Sequence, residues 1–311
     1  MIGIDVGGAN LKVVNDTGVH IHYCPLWTGA PLKDLLLNYA KSRDDAAAVV
    51  MSGELADCFQ NKLQGITFIV DSVREVFPRA RFYGTDARFH DRPGPELAAA
   101  NWLASADFLR EKYPDAVLLD IGSTTADIIP LSRFPALLGL SDLARLKKGY
   151  LVYTGMLRTP VATLISSVDL AGTATPVSTE YFAASADVHL VLGHITQDEY
   201  TCDSPDRKEK TVDASLRRLA RVVCADLEET GKDGAMQIAR AFWDRQRTII
   251  CDTVRRVAQE NGASSVVVAG IGADIFAHEC DGKNLMRELG PAADALPAYA
   301  VREVALRTRG K

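Results

Sequence analysis

Short apolar runs alternate along the chain with longer stretches of helical spacing. Residues 1–6 form an apolar run that ends in Gly7-Gly8. Residues 11–14 resume it, and after the turn residues Asn15-Asp16-Thr17-Gly18 a third run covers 19–24. Each reads as a β-strand. Residues 32–41 predict a helix, 47–51 a buried strand, 61–77 a helix stopped by Pro78, and 81–83 a short strand. Residues 95–112, alanine-rich and preceded by Pro93-Gly94, predict another helix. The cycle restarts at 116–120, an apolar strand that leads into a glycine turn and continues over 126–131. A short helix over 141–148, a strand over 150–153 and helical spacing over 178–192 follow. The polar stretch 201–210 reads as an exposed loop, and 212–227 and 235–259 as long amphipathic helices. Residues 266–269 predict a buried strand, with Gly270-Ile271-Gly272 and a helix behind it, and 297–307 a closing helix. This alternation predicts an α/β class. With 311 residues the chain is long enough for two lobes, 1–115 and 116–311, the closing helix being free to return to the first.

The most informative pattern is a self-similarity. Residues 4–15 read IDVGGANLKVVN and residues 119–130 read LDIGSTTADIIP. They align without a gap as strand, Asp, apolar residue, Gly, short polar or small residues, strand. Two such units predict two similar lobes. Gly7, Gly8 and Gly122 would allow positive φ and let backbone N–H groups approach an anion. Asn10, Ser123, Thr124 and Thr125 add short side-chain donors, and Lys12 adds a positive charge. Asp5 and Asp120, at the strand ends, can hold Mg²⁺ directly or through water. Facing each other across a cleft, the turns would clamp a diphosphate and its metal. Gly270 and Gly272 form a third glycine turn before a helix, an element that favours anions.

Composition narrows the rest. A 47% hydrophobic and 24% charged chain is ordinary globular material, and a net charge of −5 gives no support for nucleic-acid binding, which usually shows as a basic face, though it leaves room for a local basic cleft. No apolar run reaches membrane-spanning length, and the opening MIGIDV reads as a strand rather than a targeting segment. The six cysteines form no C-x-x-C pair, so buried free thiols in a reducing cytoplasm are expected, without zinc or disulfides.

The two Asp-Gly turns and the late Gly270-Ile271-Gly272 resemble those of the actin-like ATPase superfamily, which includes sugar kinases, actin and heat-shock ATPases. The string DIGSTTADIIP also resembles the hydantoinase/oxoprolinase branch. Three further strings, GYLVYTGMLRTPV (149–161), TEYFAASADVHLVLG (179–193) and SLRRLARVVCAD (215–226), resemble one group more closely. It is associated with tetrahydromethanopterin-linked one-carbon transfer. Its characterised members are the methanofuran-biosynthesis (4-{4-[2-(γ-L-glutamylamino)ethyl]phenoxymethyl}furan-2-yl)methanamine synthases. The resemblance covers nearly the whole chain. It implies a two-lobed actin-like fold with duplicated βββαβα lobes, and a transferase that joins an aminomethyl-furanmethanol diphosphate to the phenol of γ-glutamyltyramine. Pyrophosphate leaves and an aryl ether forms. Residues 132–140 depart from the group in being more apolar and poorer in glycine.

In that reading Mg²⁺ at Asp5 and Asp120, the amides of Gly8 and Ser123–Thr125, and Lys12 stabilise the leaving diphosphate, and ATP is unnecessary. A base would help the phenol, whose ordinary pKa is about 10. The candidates are Asp127, Asp187 and His189, although His189 reads equally as a half-buried hydrogen-bonded histidine. Glu54, after the 47–51 strand, is a cleft carboxylate or a helix-end charge. Arg158 could take a substrate carboxylate. Arg217, Arg218 and Arg221 read as a solvated helix face, and Phe242 and Trp243 as core. The expected partners are the diphosphate and a phenolic acceptor, with a homodimer the one assembly carried forward. The competing reading is an ATP-dependent kinase or an oxoprolinase-like ATPase, which would share every Asp-Gly feature. A nucleotide-binding switch or filament subunit is the weakest.

Overall fold

The computed structural model describes residues 1–42 and 45–309. The strands run β1 (Ile2–Val6), β2 (Asn10–Asn15), β3 (Gly18–Tyr23), β4 (Ala47–Met51), β5 (Arg81–Tyr83), β6 (Phe89–His90), β7 (Ala116–Ile121), β8 (Ala126–Pro130), β9 (Leu151–Val152), β10 (Ser167–Leu170), β11 (Thr173–Pro176), β12 (Ser265–Ala269) and β13 (Lys283–Asn284). They form two main sheets and one hairpin. The first sheet has the order β3-β2-β1-β4-β5-β6, and the second, read from its other edge, β9-β8-β7-β12-β13. In both, three antiparallel strands lead into parallel ones: β1 with β4 and β5, β7 with β12 and β13. The same order with the same pairing sense occurs twice, which is the duplicated two-lobed α/β arrangement expected of an actin-like ATPase fold.

Burial explains the central strands. Every residue of β1 and β4 is buried, as expected where helices cover both faces of a parallel sheet. On the outer face of the first sheet, Ile66, Ile69, Val70 and Val73 of the helix Lys62–Val76 pack on Ile4, Val49 and Phe82. On its inner face, Ala48 and Val50 share one core with Leu118, Ile129 and Val267 of the second sheet. The helices Asn101–Leu109 and Leu296–Arg309 fill that shared layer through Trp102, Leu103, Leu296 and Val301. The closing helix lies against β1 and β4. A Cβ on Gly3 would stand 2.0 Å from the carbonyl oxygen of Ala298, so only glycine admits this approach. On the outer face of the second sheet, Ile250, Val254 and Val257 of the long helix Leu227–Asn261 cover Val117 and Leu119.

Several sequence expectations shift. The helix expected over 95–112 splits into a 3₁₀ turn, Pro95–Leu97, and the helix Asn101–Leu109, because Ala98 is extended and Ala99 takes φ 46°. Only Ser185–Val191 of 178–192 is helical. The segment before it is held extended by a backbone bond from Ser178 to Val222 and a bridge between Pro160 and Ala184. The apolar stretch 132–140 forms the short helix Phe134–Leu137, whose Phe134 and Leu137 face the core. The loop over 201–210 has no regular structure, yet Cys202 and Ser204 are buried. Cys24, Cys202 and Cys251 are buried free thiols, whereas Cys58 and Cys224 are exposed. Arg218 is not on a solvated face but fully buried. Phe242 is core as expected, and Trp243 packs against Phe276. Among the described residues no helix is long and apolar enough to cross a membrane.

Candidate active site

The two Asp-Gly turns face one cavity between the sheets, of about 220 Å³. They match in detail. In the first, the Gly7 amide donates to the Asn10 carbonyl at 2.9 Å, and in the second the Gly122 amide donates to the Thr125 carbonyl at 2.9 Å. Among the described residues, the amides of Gly8, Ala9, Ser123 and Thr124 find no protein acceptor, which leaves them for a ligand anion. Each turn is braced from behind. Ser52 and Gly53 donate to the Val6 carbonyl at 3.0 Å, and Leu157 and Arg158 donate to the Ser123 carbonyl at 2.9 and 3.0 Å.

The strand register gives the site its charges. Asp5 lies directly opposite Lys12 on β1 and β2, and Asp120 directly opposite Asp127 on β7 and β8. The duplicated unit therefore carries a cation in one copy where the other carries a third carboxylate. Lys12 Nζ is pinned to the carbonyl oxygen of Asp294 at 2.8 Å. Asp127 is paired with Arg145, which also reaches Asp142 at 2.7 Å and stacks 4.4 Å over the Trp102 ring. Burial pushes Asp5 up to about 6, opposed by Lys12. Burial likewise pushes Asp120 up to about 7, opposed by Lys12 and reinforced by Asp127 and Asp5. Asp127 is raised by burial and held back by Arg145. Asp5 Oδ1 is buried without a hydrogen-bond partner. An orphaned buried carboxylate oxygen needs a cation or donor to be tolerable.

Of the residues singled out in the sequence, Asp5, Gly7, Gly8, Asn10 and Lys12 line this cavity from the first lobe. Asp120, Gly122, Ser123, Thr124, Thr125, Asp127 and Arg158 line it from the second. Five others lie elsewhere. The Asp187 carboxylate is consumed inside the fold, where it accepts from Ser215 at 2.8 Å and pairs with Arg218 at 2.7 Å. It also closes the helix N-terminus at the Ala184 amide. Glu54 is buried off the cavity, and burial pushes it up to about 7, while its neighbour Ser52 does face the cleft. Gly270 and Gly272 pack behind the second turn rather than lining the cavity: their missing Cβ atoms would meet Ile121. His189 is buried, hydrogen-bonded to Gln246 at 2.9 Å, and burial holds it down at about 3. Gln246 in turn donates to Thr154 and to the Gly155 carbonyl, so His189 supports the segment behind the second turn.

Gly7, Gly8 and Gly122 also differ from expectation, since none has positive φ. The glycine that needs it is Gly270, at φ 84°, where a Cβ would stand 2.7 Å from Asp120 Oδ1 and 2.3 Å from the Ile121 carbonyl. Gly270→Ala should cost about 1–3 kcal/mol in backbone strain alone and displace the Asp120 carboxylate. A thermal melt and a magnesium titration check this. Gly8→Ala, whose Cβ would meet nothing closer than Gly53 Cα at 3.9 Å, should melt near the parent.

The sequence reading missed Arg145, Asp142, Asn101 and Asp294. Arg145 sits in a helix whose last turn also holds Lys147 and Lys148, and so resembles a surface charge. The one available signal was Asp127 itself, a carboxylate opposite a carboxylate that required a buried cation.

The chain is similar to known proteins over most of its length. The hydantoinase/oxoprolinase family model matches residues 45–304. A (4-{4-[2-(γ-L-glutamylamino)ethyl]phenoxymethyl}furan-2-yl)methanamine synthase of Methanocaldococcus jannaschii is 37% identical, over 92% of this chain and 90% of its own. The synthase of the same name from Methanococcus vannielii is 38% identical over 55% of this chain and 78% of its own. Among solved structures, a glucokinase of the ROK family from Streptomyces griseus is 12% identical with a TM-score of 0.44, covering 99% of both chains. That likeness is distant, and the fold assignment rests on the duplicated sheet order. The chain belongs to the hydantoinase/oxoprolinase family and, within it, to the enzyme group of these methanamine synthases.

Proposed function

We propose that this enzyme joins a furanmethyl diphosphate to the oxygen of a phenol such as that of γ-glutamyltyramine, releasing pyrophosphate. The observation that supports it best is the pair of carboxylates, buried Asp5 and half-buried Asp120, set between two matched turns with free amides. Among the described residues no group of three or more His, Cys, Asp or Glu side chains forms a ready ligand cage. Two carboxylates with the remaining positions left to phosphate and water suit Mg²⁺, which rarely uses an all-protein cage. The orphaned Asp5 Oδ1 fits the same ion. Bound there by Asp5, Asp120 and the diphosphate, Mg²⁺ would neutralise charge on the leaving group.

The chain's own groups divide the remaining work. The amides of Gly8, Ala9, Ser123 and Thr124 orient the diphosphate oxygens, and Lys12, held by Asp294, sets a fixed positive charge at the base of the cleft. A furanmethyl carbon is activated like a benzyl carbon, so its bond to oxygen breaks readily once the departing charge is stabilised. Asp127, a cleft carboxylate not used for the metal and lying opposite Asp120, takes the phenolic proton. Arg145 fixes its orientation.

The test is a product assay with Mg²⁺, the furanmethyl diphosphate and γ-glutamyltyramine. Pyrophosphate and aryl ether should form in equal amounts, with no ADP in parallel tubes containing ATP. Substrate-stimulated ADP without ether would assign the cleft to a kinase or oxoprolinase-like ATPase instead.

A further inference from the structure

A second cavity, of about 290 Å³, adjoins the first. Tyr23 and Trp27 come to it from the first lobe, and Tyr181, Asp203 and Arg207 from the second. Arg158 borders both cavities. Its guanidinium lies 4.6 Å over the Trp27 ring, and its Nη1 stands 3.4 Å from Thr124 Oγ1 in the second turn. The Tyr23 hydroxyl reaches across to Asp203 at 3.3 Å. Among the described residues, neither Arg158 nor Arg207 has a carboxylate partner.

Three aromatic side chains around a small cavity offer stacking surfaces for a flat ring. Two arginines outnumber the one carboxylate of the lining, Asp203, which already accepts from the Tyr23 hydroxyl, and so favour an anion, which a guanidinium binds in bidentate fashion. The shared wall at Arg158 fixes the direction. A ring in this pocket has one end at the phosphate cleft and the other toward Arg207, which is exposed. We propose that this pocket is the acceptor site and that it takes a phenol bearing a carboxylate. The ring lies against Trp27 and Tyr181, the carboxylate meets Arg207, and the phenolic oxygen points past Arg158 into the cleft.

The pocket's role as acceptor site rests on the reaction proposed above. In that reaction the phenolic oxygen forms the new bond to the furanmethyl carbon as the bond from that carbon to the diphosphate oxygen breaks. The electron pair leaves with pyrophosphate, and the phenolic proton passes to Asp127.

Binding can be tested apart from turnover. The chain has three tryptophans. Trp102 is fully buried and Trp243 packs among His189, His194 and Phe276, so Trp27 is the one in this pocket. Titration with para-hydroxyphenylpropionate, followed by tryptophan fluorescence, should give a saturable quench that Trp27→Phe abolishes. Arg207→Ala should weaken binding roughly tenfold or more, the loss of a charge-assisted contact. Saturating Mg²⁺ and pyrophosphate should leave the probe bound. A quench that survives in Trp27→Phe, displacement of the probe by Mg²⁺-pyrophosphate, or equal binding of tyramine would each overturn the assignment. In turnover, Trp27→Phe should raise the acceptor KM and spare the donor KM. Absence of ether formation by the unmodified enzyme would refute the reaction while the fluorescence titration still decides the pocket.

Discussion

Asp120→Asn should lower turnover at least ~10²-fold, the scale for losing a preorganised group that stabilises developing charge, while the protein keeps its fold. The same change should leave the melting temperature of the metal-free protein at pH 8 equal to the parent's or higher. The reason is the direction in which Asp120 is shifted. Burial and the neighbouring Asp127 and Asp5 push it up to about 7, against Lys12. An acid whose folded pKa lies above its unfolded value binds protons more tightly in the folded state. Its contribution to stability is complete below about pH 4 and is lost as pH rises through about 7. Asp5, pushed up to about 6, acts in the same sense. The metal-free parent should therefore lose melting temperature between pH 5 and pH 8, with added Mg²⁺ restoring most of it. Asn at position 120 carries no charge to desolvate, so its melting curve should depend less on both pH and Mg²⁺. Melts at the two pH values, with and without Mg²⁺, check this. A variant that melts far below the parent at pH 8 would make Asp120 a structural residue.

Arg145→Ala should destabilise the protein by about 3–5 kcal/mol, the cost of breaking a buried ion pair from one side. The guanidinium is almost wholly buried, joins Asp127 to Asp142 and lies over Trp102. Its removal leaves Asp127 facing Asp120 across the strand pair without its own ion-pair partner, Lys12 then being shared by both. Adding Asp127→Asn to Arg145→Ala should recover part of the loss, because one of the stranded charges is gone. A chemical denaturation series over parent, single and double variants reads the coupling directly. Additive losses would mean that Arg145 acts through packing on Trp102 alone.

Much of this site was legible in the sequence, for a local reason. Each Asp-Gly turn is made by consecutive residues, so the alignment of 4–15 with 119–130 already carried the matched turns and the equivalence of Lys12 and Asp127. The parallel strands β1, β4, β7 and β12 were equally plain, because burial on both faces leaves continuous apolar runs. What the sequence obscured depends on tertiary partners. Asp187 and Arg218 look like a base candidate and a surface charge until they meet inside the fold. Gly270 reads as a ligand loop, yet its lack of a side chain is used to let the backbone pass Asp120. Ala99, with its left-handed backbone, interrupts a helix that composition alone favours. The aromatic pocket joins Tyr23 and Trp27 to residues far along the chain, and no periodicity links them.

The central claim is that the cleft breaks the bond between carbon and the diphosphate oxygen. A furanmethyl diphosphate carrying a heavy-oxygen label at the atom bridging carbon and phosphorus tests it in one turnover experiment with Mg²⁺ and the phenol. The label should leave entirely in pyrophosphate, and the ether oxygen should come from the phenol. Label retained in a furanmethanol, with cleavage at phosphorus, would contradict the claim and place the enzyme among phosphoryl-transferring members of its fold.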